Sequence, residues 1–266
     1  MKIKNLMLSG IALLSLFATS SCADEPENEE TKGLDNLKTE IKSDGTTTSG
    51  AIFSDIDGTT FWLDYVKYKI VDSHLEIIGY DEIELPKEPK LYAEVKLNGV
   101  TLKTRILDSD AFREAKLKKL IIPNTVTLIK DRCFYKCSSL LSIVLSEKTT
   151  YLGVGCFAYC TSLTSIDLPI GITSIGEACF YYCSSLSSII FPETVTEIGL
   201  HAYSECKSLR FIVFMPNTPP NLSYSYFDDP YNPVIVYIPQ ESLDKYKNDI
   251  NFEYNDYKYL DILPIE

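Results

Sequence analysis

The sequence predicts an α/β solenoid, in which a parallel β-strand face and short helical turns repeat along one stack. Four segments align without gaps at a period of 23 residues, starting at Leu117, Leu140, Leu163 and Leu186. Apolar residues recur at the same positions of every segment, and hydrophobic residues make up 45% of the 266-residue chain. A chain of this length and composition buries a substantial core, so we expect a folded array and not a disordered polymer.

Each repeat predicts a short strand, a turn and a short helical piece. The strand carries apolar residues at repeat positions 1, 4 and 6, as in Leu163, Ile166 and Leu168, and proline ends it at position 7 in three of the four repeats. A second apolar pair lies at positions 10 and 13, and glycine at position 14 predicts a turn. The helical piece that follows should bury an aromatic residue in each repeat, namely Phe134, Phe157, Phe180 and Tyr203. Because one repeat cannot offset its own ordering entropy, the repeats must stack and the array needs a cap at both ends.

This pattern resembles the BspA-like leucine-rich repeat family. Residues 117–208 follow the family's Leu-x-x-Ile-x-Ile-Pro, Val-x-x-Ile-Gly and Ala-Phe-x-x-Cys pattern closely. Upstream, residues 68–112 resemble the β-hairpin region and a degenerate first repeat, and downstream VYIPQESLDKYK resembles the closing strand and helix of the family. The resemblance implies a capped leucine-rich repeat solenoid that adheres to host matrix proteins or to other cells.

The N-terminus predicts an exported lipoprotein. Lys2 and Lys4 precede an apolar run at residues 6–18, which is far shorter than the ~20 residues of a membrane span. Small residues then precede Cys22, an arrangement that resembles a bacterial lipobox and implies a lipid on the Cys22 sulfur. An ordinary signal with a free Cys22 is the alternative. The predicted location is the outer membrane, with a lipid anchor and exposure at the cell surface.

Five segments describe the predicted organisation. They are a signal peptide at 1–21, an acidic flexible tether at 22–50, an N-terminal β cap with a degenerate first repeat at 51–116, four repeats at 117–208 and a C-terminal cap at 209–266.

The cysteines of the repeats predict a ladder of buried free thiols. Cysteine occupies position 17 in three repeats and position 21 in all four, whereas Ala202 takes position 17 in the fourth. Alanine at this place indicates a need for a small apolar group, and a free thiol meets that need equally well. Disulfides between neighbouring repeats and a zinc site are the alternatives.

Composition and motifs argue against several function classes. The net charge of −12 argues against nucleic acid as a partner, because little on the chain would neutralise phosphates. Residues 55–60 (DIDGTT) match the signature of haloacid-dehalogenase-type phosphatases, yet the repeats leave no room for the α/β domain that this chemistry needs. An Asp-Gly turn explains the motif. His74 and His201 have no placed nucleophile, so we expect no enzyme activity, no cofactor and no metal site.

The strand face supplies the predicted binding site. Side chains alternate along a strand, so positions 3 and 5 should point away from the core. The predicted binding residues are Lys119, Ser142, Ser165, Ser188 and Phe211 at position 3, and Ile121, Val144, Asp167, Ile190 and Val213 at position 5. A mostly apolar exposed column suits a macromolecular partner, although β-propensity alone would also produce it.

An aromatic segment at residues 215–233 is the second candidate surface. It contains Tyr224, Tyr226 and Tyr231, and capping of the stack is its other interpretation. Together these features predict an adhesin-like protein that recognises a protein or glycan of a host or neighbouring cell. Its contact with the membrane would be the N-terminal lipid alone. A structural or assembly component of the outer cell envelope is the alternative function.

Overall fold

Short β-strands joined by turns organise the computed structural model, which describes residues 52–53, 59–97, 100–222, 234–249 and 261–265. For residues 52, 53 and 261 it describes the backbone alone. The predicted signal peptide, Cys22 and the acidic tether lie outside the described residues.

Antiparallel strands open the described chain, as the predicted hairpin region requires. The first strands are β1 Ile52–Phe53, β2 Thr60–Leu63, β3 Val66–Val71 and β4 His74–Tyr80, and each pairs antiparallel with the next. A hairpin of β5 Glu94–Leu97 and β6 Val100–Leu107 follows. Strand β6 pairs parallel with β4 on one side and with the first repeat on the other, so it joins the hairpin region to the stack.

The first, second and fourth repeats each contribute parallel strands to two sheets, one more than the sequence predicts, and the third repeat contributes to one. At positions 12 and 13 lie two-residue strands, β8 Leu128–Ile129, β10 Tyr151–Leu152, β11 Ser174–Ile175 and β13 Glu197–Ile198, followed by β15 Asn221–Leu222. They pair in register from one repeat to the next and continue the sheet of the hairpin region. Position 13 of the second apolar pair therefore belongs to a strand, whereas position 10 precedes it.

The predicted strands at positions 3 to 5 form the other sheet. They are β7 Lys119–Ile121, β9 Ser142–Val144, β12 Ser188–Phe191 and β14 Phe211–Phe214, continued by β16 Ile235–Pro239 and β17 Asp261–Ile265. The sheet is interrupted at the third repeat, because residues 164–168 form no strand and leave β7–β9 separate from β12–β14–β16–β17. A single-turn helix, α1 Leu243–Lys247, follows β16 and completes the predicted strand-helix cap.

Positions 15 to 20 of each repeat, which we call the corner, consist of successive turns and contain no helix. The predicted helical piece is therefore wrong in its backbone conformation. Backbone N–H groups at positions 16, 18 and 20 bond to carbonyls of the next repeat, as in Arg132 to Val154 and Phe134 to Cys156, both at 2.8 Å. This ladder forces positions 16 and 20 into the left-handed region, with φ of 53° at Arg132 and 59° at Lys136. An α-helix would direct the same N–H groups back into its own turn.

The aromatic core confirms that the repeats stack in a single file. The rings of Phe112, Phe134, Phe157 and Phe180 lie 5.5, 5.1 and 5.7 Å apart, with interplanar angles of 6° to 9°. All four side chains are fully buried. Stacked rings at this spacing stabilise the array beyond their burial alone.

Glycine at position 14 permits neighbouring repeats to approach each other. A Cβ added to Gly176 would lie 2.6 Å from the carbonyl carbon of Gly153, and one added to Gly199 would lie 2.4 Å from the backbone nitrogen of Glu177. These glycines are therefore required by close backbone packing between repeats, whereas Gly155, at φ 58°, occupies a left-handed corner position.

Candidate functional site

The strand face consists of the predicted position-3 and position-5 residues. Parallel register aligns Ile121 with Val144, and Ile190 with Val213, so equivalent side chains form columns across the repeats. Ser165 and Asp167 lie in the third repeat, where the strand is missing. The columns therefore run in two parts, one on each side of that repeat.

The position-5 column exposes three β-branched side chains. Ile121 is 58% exposed, and Val144 and Ile190 are each 41% exposed. The acidic Asp167 between them is also exposed. Burial of these side chains by a partner would therefore remove a substantial apolar area from water.

Val213 is buried, so the prediction that it faces solvent is wrong. It is 7% exposed, and its register partners in the column are Ile190 and the larger Tyr237. The Tyr237 ring lies 6.3 Å from that of Phe211, which places aromatic rings beside the valine. The exposed apolar column therefore ends at Ile190.

The remaining strand-face residues border this column. Lys119 and Ser165 are exposed, and Ser142, Ser188 and Phe211 are half-buried. Leu141, which the sequence analysis did not select, is 50% exposed and precedes Ser142. Tyr224, Tyr226 and Tyr231 lie outside the described residues, as do residues 55–58 of the phosphatase-like motif.

A row of tyrosines on the corner is a second surface, which the sequence analysis missed. We call it the tyrosine edge, and it consists of Tyr135, Tyr159, Tyr181 and Tyr182, all half-buried. Tyr159 contacts Tyr135 and Tyr181 edge-on, with ring centroids 5.5 and 5.6 Å apart, and stacks on Tyr182 at 5.2 Å. The recurrence of tyrosine at positions 19 and 20 was the available signal.

Cationic side chains lie at both ends of the tyrosine edge. The Arg113 guanidinium is 4.9 Å and the Lys136 ammonium 5.4 Å from the Tyr135 ring centroid. At the other end, the Lys207 ammonium is 5.6 Å from the Tyr182 ring. At exposed sites, each such cation–π contact contributes a small stabilisation.

The seven repeat cysteines are free and buried, which confirms the predicted thiol ladder. Each position-21 thiol donates a hydrogen bond to the carbonyl of an aromatic residue in the preceding repeat. Cys160 reaches the Phe134 oxygen at 3.2 Å and Cys183 reaches the Phe157 oxygen at 3.1 Å. Burial raises the pKa of Cys137 to about 12 and raises the pKa of Cys156 well above its ordinary value. These groups are therefore protonated donors and weak nucleophiles at neutral pH.

Each of the two histidines contacts a neighbouring polar side chain of the fold. His74 Nε2 is 3.7 Å from Glu76, which also faces Lys130 at 3.8 Å. His201 Nδ1 is 3.3 Å from the Ser204 hydroxyl, but Ser204 is 2% exposed and so inaccessible to a substrate. Within the described ranges there is no cluster of metal-ligating side chains, and no helix has the length and apolarity to cross a bilayer.

A family model for the BspA-type leucine-rich repeat region matches residues 105–232 in six copies. The repeat region belongs to the BspA-type leucine-rich repeat family. The match begins before Leu117 and continues beyond residue 208, so it counts the less regular repeats on both sides of the four gapless ones. No curated protein matches the chain.

Two solved bacterial structures with TM-scores above 0.5 share this fold. The leucine-rich repeat protein of T. pallidum is 25% identical, with a TM-score of 0.51 over 56% of this chain and 68% of its own. The pneumococcal vaccine antigen PcpA is 16% identical, with a TM-score of 0.58 over 80% of this chain and about half (49%) of its own. A leucine-rich cell surface protein of Faecalibacterium prausnitzii is 22% identical, with a TM-score of 0.43 over 64% and 56% of the two chains.

The BspA-type assignment is consistent with a repeat scaffold that binds protein. Repeat arrays present a broad and rigid surface, and such surfaces suit extended macromolecular partners better than small molecules. The strand face and the tyrosine edge are the two described surfaces on which aromatic or β-branched side chains line up along the stack.

Proposed function

We propose that this chain is a non-enzymatic, adhesin-like binding protein, anchored at the cell surface through a lipid on Cys22. Its strand face recognises a protein or glycan of a host or neighbouring cell. The observation that carries this proposal is the exposed apolar column of Ile121, Val144 and Ile190 on a BspA-type scaffold.

Exposed β-branched residues on a rigid sheet favour association for two reasons. Their apolar area is removed from water on binding, and their restricted χ1 rotamers leave little side-chain entropy to lose. The surrounding Lys119, Ser142 and Ser188 supply a polar border, which is the usual arrangement around an apolar contact.

Introducing negative charge into the column tests the site. We expect the triple variant Ile121→Glu, Val144→Glu and Ile190→Glu to lose attachment to host or neighbouring cells at least tenfold, because three carboxylates would lose hydration on binding. The side chains are exposed, so the variant should keep the melting temperature of the unmodified chain within a few degrees. Attachment measured with protein-coated beads at unchanged strength would exclude the strand face as the site.

A matched control uses three exposed apolar residues elsewhere on the surface. Ile83, Val154 and Ile170 are 90%, 41% and 83% exposed, and replacing them with glutamate adds the same charge. This control should attach like the unmodified chain. Cross-linking on intact cells then identifies the partner, and capture of a neighbouring envelope protein alone would favour an assembly role over adhesion.

A further inference from the structure

We propose that the tyrosine edge binds an uncharged, proline-rich segment in the polyproline II conformation. This site is separate from the strand face and does not depend on the proposed adhesive function. It rests on the ring arrangement, the surrounding charges and the length of the edge.

The ring arrangement produces a ridged surface. Tyr159 is tilted by 73° against Tyr135 and by 76° against Tyr181, so three successive rings share no common plane. A sugar ring stacks on a flat aromatic face, whereas a proline ring fits between aromatic ridges. A tyrosine hydroxyl is able to donate a hydrogen bond to a backbone carbonyl, and polyproline II leaves its carbonyls without internal hydrogen bonds.

The charges around the edge compensate one another. Arg113 pairs with Asp110 at 3.2 Å, Lys136 with Glu114 at 3.9 Å and Lys207 with Glu205 at 3.7 Å. An anionic ligand such as an acidic glycan or a nucleic acid would have to displace these carboxylates. An uncharged ligand would leave the ion pairs intact, so the charges favour a neutral polypeptide segment.

The length of the edge matches a short peptide. Tyr135 lies in the first repeat and Tyr182 in the third, so two inter-repeat steps of ~4.8 Å separate the two ends by roughly 10 Å. Polyproline II rises about 3.1 Å per residue, so the edge corresponds to about three residues, which is one turn of this helix. Because this conformation is already extended, its binding loses little backbone entropy.

Titration of the full chain with an acetylated proline decamer tests the proposal. We expect saturable binding in calorimetry, with no binding of a Gly-Ser decamer of equal length. Tyr159→Asn should weaken decamer binding at least tenfold, because it removes the central ring. Asparagine is chosen because Tyr159 has φ 63°, a conformation that asparagine tolerates. Tyr159→Phe keeps the ring and should bind within about threefold of the unmodified chain.

The chain offers a closely matched control. Tyr65 is 44% exposed and has φ 70°, but it lies in the N-terminal hairpin region. Tyr65→Asn should therefore leave decamer binding unchanged, as should the triple strand-face variant. Equal binding by Tyr159→Asn and the unmodified chain would overturn the proposal. A second result would also overturn it: the decamer fails to bind, whereas a neutral hexasaccharide such as cellohexaose binds the unmodified chain and does not bind Tyr159→Asn.

Discussion

Raising the pH above the ordinary pKa of a thiol should destabilise the fold steeply. Burial raises the pKa of six repeat cysteines in the folded chain, namely Cys133, Cys137, Cys156, Cys160, Cys179 and Cys183. In the unfolded chain the same thiols ionise at about pH 8.5. Their contribution to stability is therefore fully present below about pH 8.5 and is lost as the pH rises toward the folded-state pKa.

The size of the effect follows from the number of thiols. One pH unit above the unfolded pKa, at about pH 9.5, each buried thiol lowers the free energy of unfolding by about 1.4 kcal/mol. Six such thiols lower it by about 8 kcal/mol, which is comparable with the whole stability of a typical domain, about 5–15 kcal/mol. We therefore expect the array to lose a large part of its stability by about pH 9.5.

Urea unfolding followed by circular dichroism measures this loss, with a reductant present throughout. The window from about pH 7 to about pH 9.5 lies below the ordinary pKa values of tyrosine and lysine, so thiols dominate the change. Cys179→Ala should reduce the loss by about 1.4 kcal/mol at about pH 9.5. Ala202 at the equivalent place of the fourth repeat indicates that the fold accepts alanine there. A free energy of unfolding that stays constant across the window would refute a ladder of buried protonated thiols.

Three further predictions concern single positions of the stack. Gly155→Ala should lower the free energy of unfolding by about 1 kcal/mol, because its left-handed φ of 58° disfavours a side chain even though the added Cβ would have only ordinary contacts. Ala178→Gly, at φ 51°, should raise the free energy of unfolding by about 0.5 kcal/mol. If both substitutions changed the free energy of unfolding in the same direction, the backbone argument would be contradicted. Gly176→Ala should cost about 3 kcal/mol, since its Cβ would lie 2.6 Å from the backbone of Gly153, and an unchanged urea midpoint would show that the repeats can separate freely. Thr149→Val should raise the melting temperature by about 2–4 °C, because the Thr149 hydroxyl is buried with no hydrogen-bond partner among the described residues. A lower melting temperature of the variant would indicate that this hydroxyl has a partner.

The sequence predicted the core and the candidate face through the repeat register. Phe134, Phe157 and Phe180 lie in the predicted single file, and the thiols occupy the small apolar places that Ala202 indicates. The exposure of Ile121, Val144 and Ile190 also follows from strand alternation. Periodicity was sufficient here because burial in a solenoid depends mainly on the position within the repeat.

Two errors have a common cause. Val213 was assigned to the surface because its position in the repeat equals that of Ile190, but Tyr237 in the cap lies beside it. The tyrosine edge was overlooked because Tyr135 and Tyr159 occupy neighbouring positions, 19 and 20, in successive repeats. Both features depend on contacts between repeats, and these are not visible within one copy of the pattern.

The sequence by itself determined the register of the four regular repeats, the residues that form their core and the places where small residues are needed. Only the tertiary structure decided the backbone of the corner and the second set of strands. The hydrogen bonds that hold both join one repeat to the next, as Phe157 N–H does with the Cys179 carbonyl at 2.8 Å. Local propensity acts within a few residues, whereas these bonds span a whole repeat, so the corner adopts left-handed turns instead of the helix that its residues favour.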